Sequence, residues 1–360
     1  MLLSAAVCAP VCSDASSLAL TPRTPALGAP GAIVIEADTG AVIYSYRSTQ
    51  RRAIASTTKL MSAYVTLEHA QPDRVLTVQP YTPAPEETVA GLRAGQRLSV
   101  SELLKAMLLP SAGDAANTLA VDLGGSVGRF VDWMNASARR LHLHDTHYST
   151  PVGLDTPGNY STAADLARLT RVLMRNPTFA QIVDLPSARL HDGQPLVNRN
   201  DLVGRFGYVT GVKTGHTAQA GYCLVGAASE GGVKLISVVL GDGSESARDS
   251  DTLSLLHYGF ELYRRSQPVS GGRVYARVAI SGGGGKRLAL VAEHTVRLIL
   301  RRGSSLKVYL KGVPAAVRGP LRAHSHLGEV VVRENGRIVA EVALRNRLEL
   351  AGAAAASPLS

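Results

Sequence analysis

From Gly31 to Tyr46 the chain reads GAIVIEADTGAVIYSY, two apolar runs broken at Asp38-Thr39-Gly40. That pattern predicts two strands joined by a tight turn. The spacing then becomes helical from Ser56 to about His69, with Leu60, Met61, Tyr64 and Val65 on one face. The same period predicts helices over Ser101 to Leu109, Gly113 to Leu123, Val127 to Leu141 and Thr162 to Met174. Ser161-Thr162 followed by Asp165 supplies a capping pattern for the last of these. Strand-like runs return after Val209, over Tyr222 to Ala228 and Lys234 to Leu240, and a final helix is predicted from about Arg248 to Arg264. Strands, helices, strands, helix describe an α+β layer, in which helices pack on an antiparallel sheet built from both ends of the segment.

The pattern changes between Gln267-Pro268 and Gly272. Short strands follow: Val274 to Ile280, Leu288 to Val291, Val296 to Leu300, Leu306 to Leu310, Val330 to Val332 and Ile338 to Leu344. Gly282 to Gly285 and the dipeptide Asn335-Gly336 mark turns between them. A small all-β domain is therefore expected after the α+β one. A length of 360 residues suits two such domains, and 45% apolar residues with a mean hydropathy near zero suit a soluble chain with a sizeable core.

Charge narrows the partners. The net charge is +10, from 31 Arg and 7 Lys against 28 acidic residues, so a Lys inside a motif is rarer here than an Arg. No basic block is longer than a pair and only 5% of residues are aromatic, which argues against nucleic acid as a partner. Two of the three cysteines, Cys8 and Cys12, lie in the first dozen residues, leaving Cys223 alone in the body of the chain. No internal disulfide is expected without that N-terminus, and Cys223 in its apolar strand reads as a small buried hydrophobe. Met1 to Leu20 is apolar and rich in small residues but lacks a basic start. It is a candidate signal sequence, with a disordered tail as the alternative. Residues 21–31 read as a Pro/Gly-rich linker, and no stretch is long and apolar enough to be a transmembrane helix.

Ser56-Thr57-Thr58-Lys59 stands where helical spacing begins. Residues three apart on a helix face the same way, so the Lys59 amine can reach the Ser56 hydroxyl. Serine is a weak nucleophile until a neighbour takes its proton, and lysine can do so only when burial or other cations lower its pKa. The spacing alone proves little. Ser304-Ser305-Leu306-Lys307 repeats it in a strand-like run, where residues three apart point to opposite faces. Ser56 and Lys59, however, are followed in order by Ser111-Ala112-Gly113, in a loop between two predicted helices, and by Lys213-Thr214-Gly215-His216.

These three motifs in this order resemble those of the penicillin-binding and β-lactamase superfamily. The wider text is similar to the low-molecular-mass penicillin-binding proteins, the serine-type D-Ala-D-Ala carboxypeptidases. The similarity runs through Leu92 to Gln96, Leu103 to Asp114, Tyr148 to Leu154, Tyr160 to Ala163, Asn198 to Asn200, Gly211 to Gly221 and Val238 to Gly241. It implies a penicillin-binding/β-lactamase-like catalytic domain over 30–265 and a small β-rich domain over 272–350, with 1–29 as signal sequence and linker and 351–360 as a disordered tail. It also implies removal of the terminal D-Ala from peptidoglycan stem peptides through an acyl-enzyme on Ser56, with β-lactams as covalent inhibitors. Lys59 would accept the Ser56 proton, Ser111 would relay a proton to the leaving amine, and Lys213 would set the local field. Backbone N–H groups of Ser56 and His216 would form the oxyanion hole, and Thr214, Arg199 and Arg248 would hold the terminal carboxylate, with Gly215 also among the substrate-binding residues. No cofactor and no metal is implied.

One position departs from the resemblance, which implies Asn where Gly113 stands. Loss of that neutral contact costs on the order of 1 kcal/mol, so an active enzyme with altered rate or specificity is expected. His142, His144, His147 and Asp145 tempt a metal reading, but on a helix end they would not converge. No Glu occurs between Ser111 and Lys213, where a class A β-lactamase carries its deacylating Glu, so a β-lactamase is disfavoured and slow release of bound penicillin is expected. A D,D-endopeptidase shares the acyl chemistry, and a non-catalytic peptidoglycan-binding protein would share the fold. The intact Ser56, Lys59, Ser111 and Lys213 argue against the latter. That substrate implies a protein outside the cytoplasm, and a periplasmic or extracytoplasmic envelope location is expected. The tail AGAAAASPLS offers no amphipathic anchor.

Overall fold

A computed structural model describes residues 22–351, so the expectations for the N-terminal signal sequence, Cys8, Cys12 and the tail from 352 onward lie outside the described residues. The apolar run Gly31–Glu36 forms strand β1, buried along its whole length, and a turn at 37–41 leads into β2 (Val42–Tyr46). The predicted helix that follows opens as a 3₁₀ turn, Ala55–Thr58, before the α-helix α1 (Lys59–His69). Two short strands, β3 (Val75–Thr77) and β4 (Arg97–Ser99), pair and flank a long irregular segment between them.

Helices α2 (Val100–Leu108), α3 (Gly113–Gly124), α4 (Val127–Arg140), α5 (Ala163–Leu173) and α6 (Pro177–Val183) then follow. Most of their starts are legible in chemical terms. Ser99, Ser126, Thr162 and Asn176 each cap a helix by accepting a backbone N–H two or three residues into it. Helix α6 has seven residues, too few for a periodic signal, and only Asn176-Pro177 marks it.

At α2 the cap is reciprocal. Ser99 Oγ accepts from Glu102 N at 3.2 Å and Glu102 Oε2 accepts from Ser99 N at 3.0 Å. Glu102 also accepts from His191 N at 2.9 Å. Burial opposes its charge, but these hydrogen bonds outweigh burial and hold the carboxyl down at about 2. Ser99→Ala is expected to lower stability by about 1 kcal/mol, read as a fall in the urea midpoint with an unchanged slope.

Strands β5 (Ser187–Arg189) and β6 (Pro195–Val197) form a small ribbon before the chain re-enters the main sheet as β7 (Val209–Thr217), β8 (Gly221–Glu230) and β9 (Val233–Asp242). The sheet is antiparallel in the order β2-β1-β9-β8-β7, so the first and last strand groups of this region meet in one layer. Alternation divides its two faces. Ile33, Ile35, Val225 and Val238 pack with the helices α1 to α6, while Ala32, Val34, Leu224 and Val239 pack with Leu255 and Leu256. Those leucines belong to α7 (Glu245–Glu261), which starts earlier than its periodicity suggests because Ser244 caps it.

The predicted extension of that helix to Arg264 is a correction. The chain turns to strand at β10 (Tyr263–Val269). Arg264 pairs with Leu300 and Tyr263 with Arg301, so a distant strand overrides the local helical pattern. The remaining strands are β11 (Val274–Ile280), β12 (Arg287–Ala292), β13 (Val296–Arg301), β14 (Leu306–Lys311), β15 (Ala316–Val317), β16 (His326–Glu334) and β17 (Arg337–Asn346). Asn335 and Gly336 join the last two with positive φ at both positions, the geometry that dipeptide favours. These strands enclose a separate core that includes Val278, Leu290, Val330, Val332, Val342 and Leu344. Lys307 is exposed on β14 and Ser304 precedes that strand, so the two do not share a helix.

Candidate active site

The 3₁₀ turn places Ser56 half-buried at the head of α1, with Lys59 as the first residue of the helix and wholly buried. The Lys59 amine donates to Ser56 Oγ at 3.1 Å and to the Val152 carbonyl at 2.6 Å. Two hydrogen bonds and a close approach at glycine fix the segment that brings that carbonyl in. Ser62 Oγ donates to Pro151 O at 2.7 Å and Asn159 Nδ2 donates to Thr58 Oγ1 at 3.0 Å. Gly153 has φ 88°, and a Cβ there would lie 2.9 Å from Thr58 Cβ, so only glycine fits beside the turn.

Burial strips the Lys59 ammonium of water and lowers its pKa to about 8. The negative charges of Glu87 and Asp114 oppose that fall and Arg199 adds to it. The result is an amine with a substantial neutral fraction in mildly alkaline solution, hydrogen-bonded to a serine hydroxyl. That is the arrangement a lysine needs to serve as a base.

Ser111 lies between α2 and α3 with φ 70°, a left-handed conformation uncommon outside glycine. Its hydroxyl is buried, and its Oγ has no hydrogen-bond partner among the described residues. Neighbouring backbone bonds hold it there: Ala112 N donates to Ala106 O at 3.1 Å and Gly113 N donates to Thr88 O at 2.8 Å. Asp114, which the sequence offers only as a helix start, has a second task. Its carboxylate accepts from Ala90 N at 3.1 Å and Leu92 N at 2.9 Å, tying the irregular segment after β3 to the N-terminus of α3.

The opposite wall is β7. Gly215 lets this strand lie close to the 3₁₀ turn, since a Cβ there would be 3.1 Å from both Ser56 N and Ile54 O. The next residue, His216, packs against Tyr222 with ring centroids 4.1 Å apart and the rings tilted by 32°. Lys213 is wholly buried and donates to Thr214 O at 3.0 Å. Its pKa is pushed well below the ordinary lysine value by burial first, then by Lys59, Arg199 and Arg248.

A cleft of about 670 Å³ gathers Ser56, Lys59, Ser111, Arg199, Thr214, Gly215, His216 and Arg248 on one surface. Lys213 and Gly113 are not on that surface; both are buried. The two arginines differ. Arg199 is exposed, whereas Arg248 is 2% exposed and already engaged, at 2.7 Å from Asp249 and 3.0 Å from Glu245.

Other residues of the cleft carry no sequence signal. Glu86, Glu87 and Thr88 come from a segment without periodicity, and Glu245 and Tyr222 come from the start of α7 and from β8. Reading only the interval between Ser111 and Lys213 therefore misses the carboxylates of this cleft. The histidines near the end of α4 do not converge. The rings of His142 and His144 are 5.8 Å apart, and His147 Nδ1 faces the Gly158 carbonyl at 2.6 Å. Among the described residues no group of three His, Cys, Asp or Glu is placed to hold a metal ion. Cys223 is buried, and burial is the main force that pushes its thiol up to about 12.

With this geometry in place, the chain matches the D-alanyl-D-alanine carboxypeptidase family over residues 19–244. It is 31% identical over 343 residues to the D-alanyl-D-alanine carboxypeptidase DacD of Escherichia coli, covering 91% of this chain and 88% of that protein. Among solved structures it resembles the DD-transpeptidase of Streptomyces K15, with a TM-score of 0.64 and 34% identity over 67% of this chain and all of that one. Penicillin-binding protein 5 of Haemophilus influenzae is similar over 92% of this chain and 99% of that one, with a TM-score of 0.65 and 25% identity. The last likeness spans the C-terminal strands as well as the helical region.

Proposed function

Since the chain belongs to the D-alanyl-D-alanine carboxypeptidase family of serine peptidases, we propose that Ser56 is the nucleophile of its reaction and Lys59 the base. The observation that carries this reading is the buried Lys59 amine 3.1 Å from Ser56 Oγ. In the proposed course, neutral Lys59 takes the hydroxyl proton as Ser56 Oγ attacks the carbonyl joining the two terminal D-Ala residues. The C–N bond then breaks and the departing D-Ala amine receives a proton through Ser111. Water hydrolyses the resulting Ser56 ester and frees the enzyme.

The close approach of β7 at Gly215 supports an oxyanion site between Ser56 N and His216 N. One such donor typically lowers the barrier by about 2.7–4 kcal/mol. The terminal carboxylate of the substrate would lie against Thr214 and the exposed Arg199. Arg248, held by Asp249 and Glu245, would contribute charge from below. Lys213, buried and near both Lys59 and Arg199, would tune the field without touching the substrate.

The substrates of this reading are peptidoglycan stem peptides, which lie outside the cytoplasmic membrane, so the protein would act there. No helix among the described residues is long and apolar enough to cross a membrane. β-Lactams, which mimic the scissile amide, would acylate the same serine and inhibit the enzyme.

A synthetic pentapeptide ending in D-Ala-D-Ala is expected to release free D-Ala. Amidating its terminal carboxylate should lower kcat/KM roughly tenfold to a hundredfold, because hydrogen bonds to a charged group are lost. No release from the free acid, or equal rates for acid and amide, would overturn the reading.

A further inference from the structure

Gly113 lacks the side chain that the rest of its motif would lead one to expect, yet the space beside it is filled. A Cβ built on Gly113 would lie 2.5 Å from Glu87 Cδ and 3.1 Å from Glu87 Cγ, with the Glu87 carboxylate closer still. The two residues are also tied through the backbone, since Gly113 N donates to the carbonyl of Thr88 at 2.8 Å.

The Glu87 side chain is held in this position. Tyr81 Oη donates to its carboxylate, 2.6 Å from each oxygen, and Ala84 N donates to Oε2 at 3.3 Å. Asp114 fastens the same segment at Ala90 and Leu92. Glu87 therefore reaches the cleft from outside all three motifs and lines it together with Ser56, Lys59 and Ser111.

We propose that Glu87 is a positioning residue of the reaction: with glycine at 113, its carboxylate takes the space a side chain there would need and sets the charge balance around Lys59. The inference rests on the role given to Ser56 and Lys59 above. The charged groups around Lys59 come from four places. Glu87 lies on the segment after β3, Asp114 on α3, Arg199 after β6 and Lys213 on β7. Glu87 is the largest of the charges that keep Lys59 protonated, opposing the effect of burial. Tyr81 is the titratable group facing Glu87 on its own segment, and its hydroxyl is held protonated by burial first and then by that carboxylate.

The sign of the expected effect follows. Neutralising Glu87 removes a charge that favours the Lys59 ammonium, so Lys59 becomes neutral at lower pH. In Glu87→Gln the acid limb of the benzylpenicillin acylation rate is expected to move to lower pH by roughly half a unit. Glutamine keeps the volume and the Tyr81 hydrogen bond, so a purely space-filling role leaves that limb in place.

The shared space gives a second readout. Gly113→Asn alone is expected to slow acylation about tenfold, because the new side chain collides with Glu87 and displaces it. In the Gly113→Asn/Glu87→Ala double variant the collision is gone, and acylation should be faster than in Gly113→Asn. Thermal melts identify any variant that fails to fold, and the Glu87→Gln profile stands without the double variant. An unshifted acid limb in Glu87→Gln, or a double variant no faster than Gly113→Asn, would overturn the inference. Failure of the wild type to be acylated at Ser56 would instead overturn the catalytic assignment beneath it.

Discussion

Ser56→Ala is expected to lower D-Ala release by at least about 10⁴-fold, with the fold retained. Among the described residues the Lys59 amine hydrogen-bonds no hydroxyl other than that of Ser56. Ser111 is buried between α2 and α3 in a constrained left-handed conformation, and the amine hydrogen-bonded at 3.1 Å to Ser56 makes no such contact with it. The substitution removes one oxygen from a half-buried position in the 3₁₀ turn. Unfolding free energy should therefore change by about 1 kcal/mol or less. Kinetics of D-Ala release beside a thermal melt separate the two effects. A variant that keeps more than a hundredth of the activity would contradict the assignment.

Lys59→Arg is expected to cost roughly 10²- to 10⁴-fold in acylation although the positive charge remains. Arginine does not give up its proton in proteins and so cannot receive one from Ser56. The wild-type lysine, with its pKa lowered to about 8 chiefly by burial, can. The acylation rate of the wild type should accordingly rise with pH through about 8 and then level off, as the neutral amine comes to dominate. In Lys59→Arg that rise should disappear. The guanidinium is also larger than the amine it replaces in a wholly buried site, so a melt must accompany the rate. Persistence of the pH-dependent rise in the folded variant would show that another group titrates.

Much of the architecture was legible because it is written in periodicity. Ile33 and Ile35 alternate with Ala32 and Val34, and the sheet puts the two pairs on opposite faces under different helices. Leu60, Met61, Tyr64 and Val65 show the spacing of a helix with a buried face; three are buried and Tyr64 packs partly buried against the same core. Where the pattern failed, a distant partner decided the outcome. Tyr263 and Arg264 continue a helical rhythm, yet they pair with β13 as a strand. Pairing energy from residues nearly forty positions away cannot be seen in a local window.

The site divides in the same way. The order of Ser56, Lys59, Ser111 and Lys213 along the chain is a sequence signal, and the fold brings Ser56, Lys59 and Ser111 to one cleft, with Lys213 buried and not on its surface. Arg248, which the resemblance implies as a holder of the terminal carboxylate, is already held by two acidic neighbours on its own helix. Gly113 looked like a missing contact, and the structure shows its space filled by Glu87, which lies in an irregular stretch with no period or motif to mark it. Loop carboxylates of this kind become visible only when the chain is folded, since backbone bonds such as Gly113 N to Thr88 O set their place.

The central claim is that Ser56, and not the like-spaced Ser304, forms the acyl-enzyme. Its most direct test is to trap the protein with benzylpenicillin, digest it and locate the added mass by tandem mass spectrometry. The account predicts one adduct per chain, carried by the peptide containing Ser56 and absent from Ser56→Ala. An adduct on Ser111 or Ser304, or no adduct on folded protein, would contradict it.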